Sequence, residues 1–499
     1  MSIVLGPILQ FRGFLRNTCE VSALVVTDLG DPAPPAQIDQ PQALVAAPRK
    51  LADLPFENPT KTAWRYDMVL PLSSGSVEYG IGEFKGRFQV PAEHESPRMA
   101  YASCNGFSDP KLMKQVQDKN DRWSHMARQH ARQPYHLLLL GGDQVYSDDM
   151  WKAVRELEQW TDLSLKDRAK AKFTATLRKR LDGYFADLYL KRWSQPEPLA
   201  MLQSIPTVMM WDDHDIMDGW GSYPAELHDC DVYQGIFKVA RGYFELFQQQ
   251  CAPGEAHVCA VPGQGAFSLG FTGLGDVALL VPDLRSERRP ASAEEAERII
   301  APESWNALYA WLDQASGHQH LLFMSSIPVA YLDLGTIEKL LNVLPGQQEL
   351  EDDLRDHWRS IAHVQERLRL VHRLLDHAVQ KNCRVTILSG DVHVGAVSVI
   401  ESTRSEHSGP SAVINQLVST GIVHPAPPTL VRYVLESISD RVDEIDRGIT
   451  ASMQSLTGNS HRLIGARNWL ALEPDTSGRI WANWHVEGLQ QPLTKVIHG

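Results

Sequence analysis

An α/β fold is the class this sequence predicts, and three observations predict it. From about residue 97 onward, short apolar runs alternate with long helical patterns. The runs are continuous: Leu137-Leu138-Leu139-Leu140 shows no amphipathic alternation, as expected of a strand buried on both faces of a parallel sheet. Several runs also end abruptly in glycine, acidic residues or histidine. Those are the carboxyl ends of strands, where open α/β sheets bind ligands. At 499 residues the chain exceeds what one core usually serves. Two units are expected, 1–96 and 97–499.

Residues 1–96 carry strand signals without helices. Val21 to Val26 and Trp64 to Leu70 read as strands, with prolines at 32, 34, 35 and 41 between them and turns at Ser73-Ser74-Gly75 and Gly80. A small antiparallel β-sandwich domain is expected there. Gly80, Gly82 and Gly86 have the wrong spacing for a dinucleotide fingerprint, and no helical pattern follows them.

From 97 onward each element follows from its pattern. Arg98 to Asn105 is a strand running into a turn, Lys111 to Arg132 a polar helix, and Leu137 to Leu140 the buried strand. Met150 to Trp193 reads as a Lys- and Arg-rich helical excursion. Val208 to Trp211 is a strand, Val232 to Gln250 a helix, and Ala278 to Pro282 another strand. Glu303 to Ala315 is a helix feeding the strand Leu321 to Met324. Leu354 to Val379, with Ile361, Val364, Leu368, Val371 and Leu375 at helical spacing, feeds the strand Val385 to Leu388. Val413 to Val418 is the last strand of the alternating series. The segment 431–499 holds a helical piece and a strand pair, Asn468 to Leu472 and Arg479 to His485, expected to complete the second sheet.

A net charge of -13 argues against a broad grip on nucleic acid or an anionic membrane. The six cysteines lack the spacing of a zinc or disulfide framework. No apolar stretch is long enough to span a bilayer. Residues Met1 to Pro7 lack a positive region before the apolar residues and a twin arginine, so a cytoplasmic location is expected.

The strand ends carry the chemistry. Cys104, Asp143 and Tyr146, Asp213 and His214, Asp283, and Asp391 and His393 each follow an apolar run. Parallel strands present these ends along one edge, so residues distant in sequence converge. Any one of them is most simply a polar strand end or a helix cap. Together they point to a metal site. A serine-hydrolase elbow and a P-loop are both absent.

Gly142-Asp143-Gln144-Val145-Tyr146, Trp211-Asp212-Asp213-His214-Asp215 and Ser389-Gly390-Asp391-Val392-His393, with Ala102-Ser103-Cys104 upstream, resemble the alkaline phosphatase D (PhoD-like) family of calcineurin-like metallophosphoesterases. The resemblance covers roughly 97–430, and an amino-terminal β-domain is usual in that family. It implies a metallophosphoesterase-type αββα sandwich preceded by the small β-sandwich. It implies two metal ions bridged by Asp143, one also held by Cys104, Tyr146 and His393, the other by Asp213 and Asp391. Thiolate and phenolate favour Fe(III), and the oxygen-rich site favours Ca2+, with Mn2+, Mg2+ or Zn2+ as alternatives. The chain departs from the wider superfamily after Leu321 to Met324, where Ser325-Ser326 stands in place of a histidine; His318 and His320 precede that strand.

The implied activity is hydrolysis of a small phosphate monoester or diester by a metal-bound hydroxide, with the metals roughly 3.5–4 Å apart. His214 is expected to protonate the leaving oxygen, with Asp215 or Asp212 on its other nitrogen. Arg285 matches a phosphate's paired oxygens or pairs with a carboxylate such as Asp283. Trp220 and His424 line the pocket or pack beneath it. The alternative is a non-catalytic metal- or phosphate-binding scaffold on the same fold.

Overall fold

The computed structural model describes residues 3–15, 18–72, 75–263, 267–293, 295–332, 358, 363–409, 411–456 and 460–498. Ser73 and Ser74 of the expected turn lie outside the described residues. So does the start of the expected Leu354 helix, Trp358 apart; the described helix is Val364–Lys381.

Two large mixed sheets and one three-stranded sheet make up the β-structure of the described residues. In the first large sheet Met99–Ala102, Leu137–Gly141 and Thr207–Met210 pair in parallel, with Leu139 opposite both Tyr101 and Val208. In the second, Val277–Val281, His320–Met324, Arg384–Ser389 and Val413–Val418 run parallel in that order. The expected strands of the alternating series are therefore present; the first, expected over Arg98 to Asn105, is Met99–Ala102, and the others lie within a residue of their predicted ends.

The continuous apolar runs have their reason in the cores. Leu137 to Leu140 are at most 2% exposed, and burying each stabilises the fold by about 1.5–3 kcal/mol. Along the second sheet, side chains alternate between two cores. Leu279, Val281, Leu322, Met324 and Leu388 join the core shared with the first sheet. Leu280, Leu321, Phe323, Val385 and Ile387 turn the other way, against Leu308 and Leu312 of helix Pro302–Gln314 and Leu374 and Leu375 of Val364–Lys381.

Three expectations are corrected. The strands of 1–96 do not stand apart: Ala36–Asp39, Gly75–Ile81 and Phe84–Val90 make the three-stranded sheet, but the others run on into the first large sheet. Ile3–Leu15 pairs antiparallel with Thr18–Asp28 but also parallel with Thr207–Met210, at Gln10 opposite Thr207. These strands are 13 and 11 residues long and buried along most of their length. Their faces are covered by packing into the core shared with the larger sheet, and the pairing with Thr207–Met210 satisfies an edge of Ile3–Leu15. Second, the carboxyl-terminal segment is divided: Asp443–Asp446, Ile449–Gln454 and Leu463–Ile464 join the second sheet as expected, whereas the strand pair Asn468–Pro474 and Ile480–Val486 extends the first sheet beside Met99–Ala102. Third, the polar helix is two helices, Pro110–Gln115 and Asp121–Arg132. The excursion is likewise four helices ending in the long Ala175–Trp193.

Candidate metal centre

The carboxyl ends of the parallel strands bring Cys104, Asp143, Asp212, Asp213 and Asp391 together. The turns that carry them are tight. Cys104, Asp143, Asp391 and His393 all adopt positive φ, between 51° and 71°, a conformation non-glycine residues adopt rarely and at a cost. Backbone bonds hold the turns: Cys104 N–H donates to the Gly142 carbonyl at 3.3 Å and Asn105 N–H to that of Asp143 at 2.8 Å. Gly390 leaves room at this junction, since a Cβ there would stand 2.2 Å from Ser103 Oγ.

Asp143 is the pivot. Its Oδ2 lies 3.5 Å from Cys104 Sγ and 3.4 Å from the Tyr146 hydroxyl. Asp143, Asp212, Asp213 and Asp391 each offer an oxygen within 4.8 Å of the others, all buried. Asp143 Oδ1 and Asp212 Oδ2 are buried without a hydrogen-bond partner among the described residues. Burial drives the Asp143 carboxyl well above the usual carboxylate range, and neighbouring Asp212, Asp213 and Asp215 add to the shift. Burial does the same to Asp212, with Arg285 opposing it and Asp213 and Asp391 adding to it. Converging buried carboxylates with orphaned oxygens fit a bound cation, whose charge reverses that electrostatic penalty. Burial also raises the Cys104 thiol and the Tyr146 phenol, each further raised by Asp143.

His393 joins the cluster through ring contact. It stacks on His424 at 3.6 Å, and His424 lies 5.9 Å from the Tyr146 ring. His393 Nδ1 is buried without a hydrogen-bond partner among the described residues. The His424 ring is fixed by Ser108 Oγ at 3.1 Å and its neighbour's carbonyl, Pro425 O, at 2.9 Å.

His214 stacks on Tyr146 at 4.3 Å. The partner of its Nδ1 is Asp148, whose two oxygens stand 2.9 and 3.0 Å away, not Asp215 or Asp212. Burial opposes the charged imidazolium, yet Asp148, Asp213 and Asp143 outweigh it and hold the His214 pKa well above its ordinary value. Asp215 points elsewhere. It accepts from the backbone N–H groups of Asp212, Gln144 and Val145 and from Gln248 Nε2, so it clamps the Asp143 turn to the Asp212 turn. Burial pushes its carboxyl up to about 7, against those hydrogen bonds.

Arg285 is fully buried. Its Nε donates to Asp212 Oδ1, and its Nη2 is 3.4 Å from Asp213 Oδ1. It therefore pairs with carboxylates, but with Asp212 and Asp213 where Asp283 was expected. Asp283 accepts the backbone N–H groups of Arg285 and Ser286 and the Trp211 indole N–H, pinning its own loop. Trp220 lies under the site, stacked on Phe237 at 4.9 Å and donating to the Arg285 carbonyl. Ser326, at the superfamily's histidine position, donates to Asp212 Oδ1 at 2.9 Å.

Sequence reasoning left out Asp148 and Asp212's place in the acidic group. Asp148 had a weak signal, an acidic doublet with Asp149 just beyond Tyr146. Asp212 was read from its motif only as a possible partner of the His214 ring.

Fold and site together define an α/β protein with a buried, acid-rich candidate metal centre where the parallel strands of two sheets end. The chain belongs to the family described as PhoD related phosphatase, whose model matches residues 76–347 and 344–442. A relative in Saccharomyces cerevisiae, "Uncharacterized protein YGR266W", is 28% identical over 458 residues, covering 75% of this chain and 64% of that protein. A solved structure titled "Structure of PhoD" matches with a TM-score of 0.56 at 15% identity, over 98% of this chain and 88% of that one. That likeness is one of fold.

Proposed function

We propose that the chain is a metal-dependent phosphoric-ester hydrolase acting on small phosphate monoesters or diesters. The observation that carries the reading is the pivot at Asp143: thiol and phenol on one side, three further carboxylates on the other, and the His214–Asp148 pair beside them. Asp143, Cys104, Tyr146 and His393 would hold one cation, suited to Fe(III) by their anionic and soft donors. Asp143, Asp213 and Asp391, with the remaining oxygen of Asp212, would hold a hard cation such as Ca2+. When bound, the pair supplies Lewis-acid charge for the phosphoryl oxygens and acidifies water to a hydroxide nucleophile.

The chain's own residues do the rest. Asp148 fixes the His214 tautomer and leaves Nε2 to carry a proton to the leaving oxygen. Arg285 lowers the mutual repulsion of Asp212 and Asp213, and Asp215 holds their turn against that of Asp143. The Tyr146, His214, His393 and His424 rings wall the site. The same reading takes the two sheets as the inner layers of an αββα sandwich, with helices outside.

No helix among the described residues is long and apolar enough to cross a membrane. Elemental analysis, paired with hydrolysis of p-nitrophenyl phosphate and bis-p-nitrophenyl phosphate before and after chelation, tests the activity. Iron with a hard divalent ion and chelator-sensitive release of p-nitrophenol is the expected result. Full metal occupancy with no turnover on either ester would favour the scaffold alternative.

A further inference from the structure

We propose that His318, His377 and Cys383 form a separate cation site of the zinc type at the opposite end of the second sheet. His318 Nε2 lies 3.2 Å from His377 Nε2, with the rings within 12° of parallel. The Cys383 sulfur completes a set of three donor atoms within 4.8 Å of one another. The residues are 7%, 3% and 1% exposed. Two nitrogens on one tetrahedral zinc ion, each at about 2.0–2.1 Å, stand roughly 3.3 Å apart. The two imidazoles already have that spacing.

Three chain segments meet there. His318 follows helix Pro302–Gln314 and precedes strand His320–Met324. His377 lies in the last turns of helix Val364–Lys381. Cys383 follows the left-handed residue Asn382 and donates its backbone N–H to the Ala378 carbonyl. Strand His320–Met324 separates this cluster from Ser326, which touches Asp212. At about 3.3 Å per residue, the five-residue strand puts the two sites roughly 16 Å or more apart.

The chemical state suits ligation. Burial lowers the basicity of both imidazoles, His377 to about 4, keeping them in the neutral form that binds metal. The Nε2 atoms of the two rings face each other, so a neutral imidazole with its proton on Nδ1 would turn the Nε2 lone pair inward. Burial pushes the Cys383 thiol up to about 11, with Arg384 and Lys381 pulling it back toward the thiolate. A thiophilic cation would complete that deprotonation. Bound there, it would tie two helices to the starts of two central strands.

Cobalt(II) titration of the full chain carrying Cys104→Ser tests the site, because that change removes the thiol of the carboxylate centre. A thiolate-to-cobalt absorption in the near ultraviolet is expected, displaced by zinc and lost when Cys383→Ser is added. His377→Gln keeps the thiol, and should remove one equivalent of bound cobalt per chain. Where Cys104→Ser does not fold, the native chain against Cys383→Ser alone reads the same difference. No thiolate absorption in Cys104→Ser, or an absorption that survives Cys383→Ser, overturns the site. It stands apart from the proposed activity, which Cys383→Ser should leave unchanged.

Discussion

Replacing Asp148 by Asn removes one negative charge beside His214 while keeping an oxygen that can accept from Nδ1. The native contact is short and two-pronged, at 2.9 and 3.0 Å, and the His214 and Asp148 side chains are 5% and 13% exposed. A hydrogen bond to a charged group contributes about 1.5–3 kcal/mol. At about 1.4 kcal/mol per decade, Asp148→Asn should slow turnover by about ten- to a hundredfold. The loss should fall on esters with basic alkyl leaving groups, which need a proton, and be much smaller for p-nitrophenyl phosphate. Asp148 also raises the His214 pKa. The acid form is lost as pH rises through that pKa, so the alkaline limb of the rate profile should move to lower pH in the variant. Metal content should not change. An equal loss on both leaving groups, or a loss of metal, would refute the assignment of His214 as the acid.

Asp143→Ala should abolish uptake of both ions, read by elemental analysis; retention of either would remove Asp143 from the pivot. Arg285→Met leaves the Asp212 and Asp213 carboxylates buried without their cation, and should cost about 3–5 kcal/mol in urea unfolding; a change under 1 kcal/mol would show the pair to be dispensable. In the chelated protein, Asp143 and Asp212 have folded-state pKa values above the unfolded values of about 4. The native state then binds more protons, so stability should fall as pH rises above about 4, and added metal should restore it. Melting temperatures at pH 5 and 8 with and without metal check this; a chelated protein more stable at pH 8 contradicts it. Gly390→Ala drives a methyl into Ser103, and should cost about 1–3 kcal/mol and weaken metal uptake through the neighbouring Cys104 turn.

Much of this protein is legible in its sequence, because continuous apolar runs such as Leu137 to Leu140 signal burial on both faces and their polar ends signal a strand's end. That Cys104, Asp143 and Asp213 lie along one edge followed from parallel order; Asp391 ends a strand of the other sheet, and its place beside them was implied by the family resemblance and decided by how the two sheets pack. Partnerships decided by side-chain direction were not legible. His214 took Asp148 and not its sequence neighbour Asp215, since the short helical turn Asp213–Asp215 aims Asp215 back at the Gln144 and Val145 amides. Arg285 took Asp212 from another strand end instead of Asp283 two residues away. The place of the first 96 residues was also beyond local pattern. Residue periodicity says that Ile3–Leu15 is a strand with buried faces, but a hydrogen-bonding edge carries no address. Only packing decided that its neighbour is Thr207–Met210, some two hundred residues on.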